Sequence, residues 1–161
     1  MSGAAPLPGG TLLRAAHWVA EHCVGPLGLG TAVVKPVRHV LHLADLTAEE
    51  SAELGPLLAR ISEAVTSVSD PEQVYVCLWS HAGGVPGHLH FVVQPVSSAD
   101  MAEFGCHGPA LQVAMFERGV VPGRAEVEAV CDRLRAALGP TDADVSAAPD
   151  ATDATDADGS A

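Results

Sequence analysis

Positive charge is what this sequence has least of. Its 161 residues carry 8 Lys and Arg against 20 Asp and Glu, a net charge of −12 at neutral pH. Only 17% of residues are charged at all, and no basic stripe stands out from the acidic excess. Binding to polymeric nucleic acid depends on neutralising many phosphates at once, so a nucleic acid polymer is not an expected partner. A small nucleotide, which needs a local pocket rather than a basic face, remains open. No apolar run approaches the roughly 20 residues that span a bilayer, and no membrane partner is expected. The Pro/Gly-rich start, Met1 to Thr11, lacks the basic and apolar stretches of a secretory signal. The four cysteines, Cys23, Cys77, Cys106 and Cys131, form no C-x-x-C pair. They read as free thiols of a reducing cytoplasm, the expected location.

What is present suits one domain, because 48% of the residues are hydrophobic and a chain of this length can bury a core. The chain divides into a flexible N-terminus over 1–10, a domain over 11–138 and a tail over 139–161. Apart from Val145 the tail is Asp, Ala, Thr, Pro, Ser and Gly, carries six aspartates and has almost nothing to bury, so it is expected to be disordered. Within the domain, Leu13, Ala16, Ala20 and Cys23 recur at helical spacing and predict a short helix over 12–23. Gly25 to Gly30 is a loop by its glycines and proline, Thr31 to Pro36 a strand, and Val37 to Leu43 extended or turn-like. Thr47-x-x-Glu50 is a capping box. It opens a helix with Leu54, Leu57, Leu58, Ile61 and Val65 on one face, and Ser69-Asp70-Pro71 ends it. Gln73 to Trp79 is a strand by its β-branched and aromatic content. A loop over Ser80 to Gly87 leads to a second strand, His88 to Gln94, giving an antiparallel pair. Helices are predicted over Pro109 to Glu117 and Arg124 to Leu138. The fold class is α+β, an antiparallel sheet with flanking helices.

The chemistry concentrates in Gly87-His88-Leu-His90-Phe-Val-Val-Gln94-Pro95. Side chains alternate across a strand, so His88, His90, Val92 and Gln94 share one face and Leu89, Phe91 and Val93 point into the core. One histidine on a strand is usually structural. Two imidazoles about 7 Å apart on one rigid face point to catalysis or to metal binding. His39, after a strand-ending turn, and His81, in a glycine-rich loop held by the hairpin, are further site candidates. His42, His17, His22 and Cys23 read as packing or surface groups, and Cys106-His107 as structural. Lys35 and Arg38 are either solvated charges or holders of a phosphate.

This constellation resembles the histidine-triad (HIT) signature, His-φ-His-φ-His-φ-φ with φ apolar, often followed by proline. His88, His90 and Pro95 match it. Ala82-Gly83 falls where an Ala-Gly-Gln is frequent, Pro36-x-Arg38-His39 resembles the family's Pro-x-Arg-His, and Leu46-Thr47-x-x-Glu50 its helix entry. The ordered likeness runs from about Gly30 to Pro95. The Trp79-Ser-His-Ala-Gly83 loop is similar to that of actinobacterial HIT-like proteins with an incomplete triad, His-x-His-x-Val. Val92 stands at the third histidine, Gly84 and Val85 replace the usual Gln and Ser or Thr, and Val96 stands where Arg is common. The resemblance implies a HIT-like α+β fold, a homodimer, and a small-molecule nucleotide or related phosphate ligand. It further implies a hydrolase or nucleotidyltransferase acting through a nucleotidyl-histidine. Its catalytic pair would be His90, the nucleophile, and His88, its support, with His39, His81, Gly83 and Gln94 at the substrate. Neutral imidazole is a good nucleophile and a good leaving group at pH 7. Two other readings stand beside this one. One is a metal-dependent enzyme or metal-binding protein holding a divalent ion with His81, His88 and His90, and possibly His39. The other is a degenerate HIT fold that binds without catalysis.

Overall fold

The computed structural model describes residues 7–82 and 85–140. The expected disordered tail beyond residue 140 and the first six residues lie outside them. Five strands, β1 (Thr11–Arg14), β2 (Trp18–His22), β3 (Ala32–Pro36), β4 (Gln73–Ala82) and β5 (Val85–Val96), form one antiparallel sheet in the order β1-β2-β3-β5-β4. The helices are α1 (Ala48–Ser69), α2 (Ser98–Phe104), α3 (Pro109–Arg118) and α4 (Arg124–Leu138), with a 3-10 turn at Leu43–Asp45.

The helix expected over 12–23 is instead the hairpin β1–β2. Its helical spacing is a coincidence of Leu13, Ala16, Ala20 and Cys23. The backbone groups of β2 are satisfied by pairing with β3, Trp18 opposite Pro36 and His22 opposite Ala32. At the turn, Glu53 of α1 accepts hydrogen bonds from the backbone N–H of Ala16 (3.0 Å) and His17 (2.8 Å). Partners some 36 residues away thus decide a segment whose local pattern favours helix. The β4–β5 hairpin is tighter than expected too, since its strands extend to Ala82 and from Val85 through an irregularity between Trp79 and His81.

One face of the sheet makes the core. Trp18, Ala20, Val34, Leu89 and Val93 are buried against Leu57, Ile61 and Val65 of α1 and Val130, Cys131 and Leu134 of α4. Full burial of such a leucine or valine contributes about 1.5–3 kcal/mol. The N-terminal turn at Leu7–Gly10 is held to α4 by Arg135, whose guanidinium donates to Gly9 O at 2.6 Å. The opposite face is covered only in part. Over β4 and β5, α3 lies with Phe116 stacked on Trp79 at 5.1 Å. Tyr75 accepts from Gly108 N through its hydroxyl. Among the described residues no helix covers the β2–β3 half of that face, and His88 and His90 border it.

The connection from β3 to α1 is tied by one carboxylate. The capping box predicted at Thr47 and Glu50 forms, and Arg38 grips Glu50 with both Nε (3.0 Å) and Nη2 (2.8 Å) while also donating to Asp45 O. The Arg38 guanidinium and the Thr47 N–H hold the Glu50 carboxyl down to about 2 from an ordinary 4.5. A group depressed on folding adds stability above its unfolded pKa, and that stability is lost as pH falls through the folded value. Glu50→Gln is therefore expected to lower the melting temperature at pH 7. The gap to the parent should shrink between pH 4.5 and pH 2, as followed by circular dichroism melts.

Candidate active site

β5 is an interior strand, paired with β3 on one side and β4 on the other, and its alternation places His88 and His90 on the open face as expected. The hydrogen bonds of each ring decide its chemistry. A carbonyl oxygen only accepts, so a ring nitrogen that contacts one carries the proton. His90 Nδ1 lies 2.9 Å from His88 O and is a donor. In the neutral ring, His90 Nε2 then bears the lone pair. His88 Nε2 donates to Pro36 O at 2.9 Å, which ties the strand to the end of β3. Burial pushes the His88 pKa down, and the nearby His39, Lys35 and His90 add to this against the Pro36 bond. His88 is thereby held in its neutral form at pH 7.

His88 and His90 line a hollow of about 330 Å³ with Val33, His22, Cys23 and the ion pair of Lys35 and Glu21 (2.6 Å). His22 is the buried wall. Its Nδ1 donates to Cys23 O at 2.7 Å and its Nε2 accepts from Gly30 N at 3.0 Å, so it anchors the loop that follows β2. Burial lowers its pKa and raises that of the Cys23 thiol. His39 is brought in from the β3–α1 connection, its ring 5.0 Å from that of His88. The knot of Arg38 and Glu50 and a bond from Leu89 N to Val40 O (2.8 Å) fix that connection beside β5.

The other candidates go elsewhere. Gln94 is fully buried, and α3 explains why. Its Nε2 donates to Leu27 O (3.0 Å) and its Oε1 accepts from Gln112 Nε2 (2.9 Å), so it serves the interior rather than a substrate. His81 is exposed on β4 beyond the strand irregularity, opposite Pro86 rather than His88. Gly83 lies outside the described residues. Among the described residues no three His, Cys, Asp or Glu side chains are placed to hold a metal ion, so His81, His88 and His90 do not make the ligand set of the metal reading. Val92 is buried between Val33 and Cys77 of the neighbouring strands. Glu21 escaped the sequence reading because its segment was read as helix. Alternation over Trp18–His22 was the signal that could have found it.

No model of a known protein family matches this chain, and no curated protein matches it. Solved structures do. A hypothetical histidine triad nucleotide-binding protein from Sulfolobus tokodaii strain7 aligns with TM-score 0.60 and 18% identity, over 80% of this chain and 82% of that one. A zinc-bound histidine triad family protein from Mycobacterium smegmatis aligns with TM-score 0.60 and 20% identity, over 85% and 87%. A uridylyltransferase aligns with TM-score 0.55 and 22% identity, over 80% of this chain and 40% of that one. At such identities the likeness is one of architecture. With its five-stranded antiparallel sheet, its flanking helices and His88 and His90 on the interior strand β5, the chain has the histidine-triad fold.

Proposed function

We propose that this chain is a nucleotide-binding hydrolase or nucleotidyltransferase that works through a nucleotide covalently held on His90. The observation that carries this reading is the bond from His90 Nδ1 to His88 O, which leaves the Nε2 lone pair as the ring's free functional group beside an open hollow. Attack by Nε2 on a phosphorus forms the N–P bond, and the departing oxygen takes the electron pair of the bond that breaks. Water or another acceptor then attacks the phosphorus, and the N–P electrons return to the ring. His88 is the supporting group, because its carbonyl orients the nucleophile and its neutral ring adds no charge beside it. His39, against His88, is assigned to the substrate side. That one neighbour of the same fold is described as nucleotide-binding and another as a uridylyltransferase accords with this chemistry.

The same reading includes a homodimer in a reducing compartment. β4 is a ten-residue edge strand with Val76 and Leu78 exposed, an edge that pairing with a second copy would cover. All four cysteines are free thiols, which fits the cytoplasm. No described helix is long and apolar enough to cross a membrane.

Incubation with dinucleoside polyphosphates or nucleoside phosphoramidates is expected to leave an acid-labile nucleotide adduct, seen by intact-mass measurement. His90→Ala should abolish the adduct and reduce turnover to background while nucleotide binding survives. His88→Ala keeps the carbonyl but removes the ring that ties β5 to Pro36 O and packs against His39, and should lower turnover less completely than His90→Ala does. Binding without any adduct would favour the non-catalytic reading. The missing third imidazole is a different matter, because position 92 is buried. Val92→His is expected to destabilise the fold by at least about 2 kcal/mol through overpacking and an unpaired ring nitrogen. Urea denaturation measures this, and an unchanged midpoint would mean that the position has room for a ring.

A further inference from the structure

The open face of the sheet continues past the histidines. A second hollow, of about 430 Å³, shares Glu21, Lys35 and His88 with the first and extends over Val19 and Pro36 to Arg14 at the end of β1. Arg14 is unlike the other cations of the chain. Of the eight Lys and Arg, five bond carboxylates: Lys35, Arg38, Arg118, Arg124 and Arg135. Arg60 and Arg133 donate to backbone carbonyls. Arg14 alone has no acceptor among the described residues. An arginine presents five donors in a fork that matches phosphate, and this one stands at a hollow that leads to His90.

The protons of the first hollow point the same way. His22, His88 and His90 each commit one ring proton to a backbone carbonyl, of Cys23, Pro36 and His88 respectively. The Lys35 ammonium is committed to Glu21. In their neutral forms His88 and His90 therefore offer lone pairs, that of His22 is already taken by the Gly30 N–H, and a group leaving from a phosphorus over His90 finds charge beyond Lys35 more readily than a proton. We propose that Arg14 and its hollow are an anion subsite for the departing part of the substrate, a chain of two or more phosphates that leaves as an oxyanion. This rests on the nucleotidyl reading of His90. The bond that breaks joins phosphorus to the bridging oxygen, and the oxygen keeps the electron pair as its negative charge, which Arg14 meets. The water that later releases the nucleotide supplies the hydroxyl that ends on its phosphate and one proton to solvent.

Inorganic tripolyphosphate and AMP, titrated calorimetrically into the full chain at low and at moderate salt, test the subsite. Tripolyphosphate is expected to bind the parent and to bind Arg14→Gln about tenfold more weakly, the loss of a charge-assisted contact. Arg14→Lys should fall between the two. The difference should narrow as salt rises, and AMP affinity should change less than twofold. In turnover of a dinucleoside polyphosphate, Arg14→Gln should raise KM while the His90 adduct still forms. Melting curves of both variants establish that they are folded. Tripolyphosphate that does not bind, or that binds Arg14→Gln and the parent equally, overturns the proposal. An Arg14-dependent tripolyphosphate site in a protein that never forms a His90 adduct would instead overturn the nucleotidyl reading and leave the anion subsite standing.

Discussion

Within β5, the proton on His90 Nδ1 is shared with the carbonyl oxygen of the residue two positions earlier, His88. The contact is local, yet the chemistry of the site depends on it. Without it either ring nitrogen could carry the proton, and the lone pair would be divided between them. With it, the neutral ring holds its lone pair on Nε2 beside the hollow. A backbone carbonyl is a durable partner for this purpose, because it has no rotamer to lose and no charge to titrate. It orients the ring at little entropic cost and leaves Nε2 free to attack.

That carbonyl is fixed because β5 is fixed. β3 and β4 flank the strand, Leu89 and Val93 anchor it to α1 and α4 from one side, and the Pro36 carbonyl holds His88 from the end of β3. The covering of the second face then divides it by function. Where α3 lies over β4 and β5, Val92 and Gln94 belong to the interior, and the amides of Gln94 and Gln112 satisfy each other. Where no described helix lies, over β2 and β3, the histidines line a hollow together with the Glu21–Lys35 pair. A buried floor and an open half on the same strand make a rigid site that a ligand can reach.

The sequence made the local parts of this plain. Alternation in His88-Leu-His90-Phe put both imidazoles on one face, and the strand obeys it because β-branched neighbours and Pro95 leave it little else to do. The Thr47 and Glu50 capping box needs only four residues and was readable from them. What escaped reading depends on distant partners. Trp18 to His22 is a strand because β3 and Glu53 are there to receive it, so Arg14 and Glu21 could not be placed on the open face from their own surroundings. Gln94 has the spacing of a site residue, and only the arrival of α3 removes it. His81 is displaced from His88 by an irregularity that its neighbouring residues do not announce. Histidine order alone suggested an incomplete triad. The structure adds that position 92 is packed against its neighbours, so the gap there is filled by the core.

The proton on the His90 ring, which decides the chemistry of the site, can be observed directly. Long-range 1H–15N correlation spectra of uniformly labelled protein at pH 7 distinguish a protonated ring nitrogen from a bare one, and His90→Gln identifies the ring. The neutral His90 ring is expected to carry its proton on Nδ1, with Nε2 unprotonated. A neutral His90 ring protonated on Nε2 instead would contradict the bond to the His88 carbonyl.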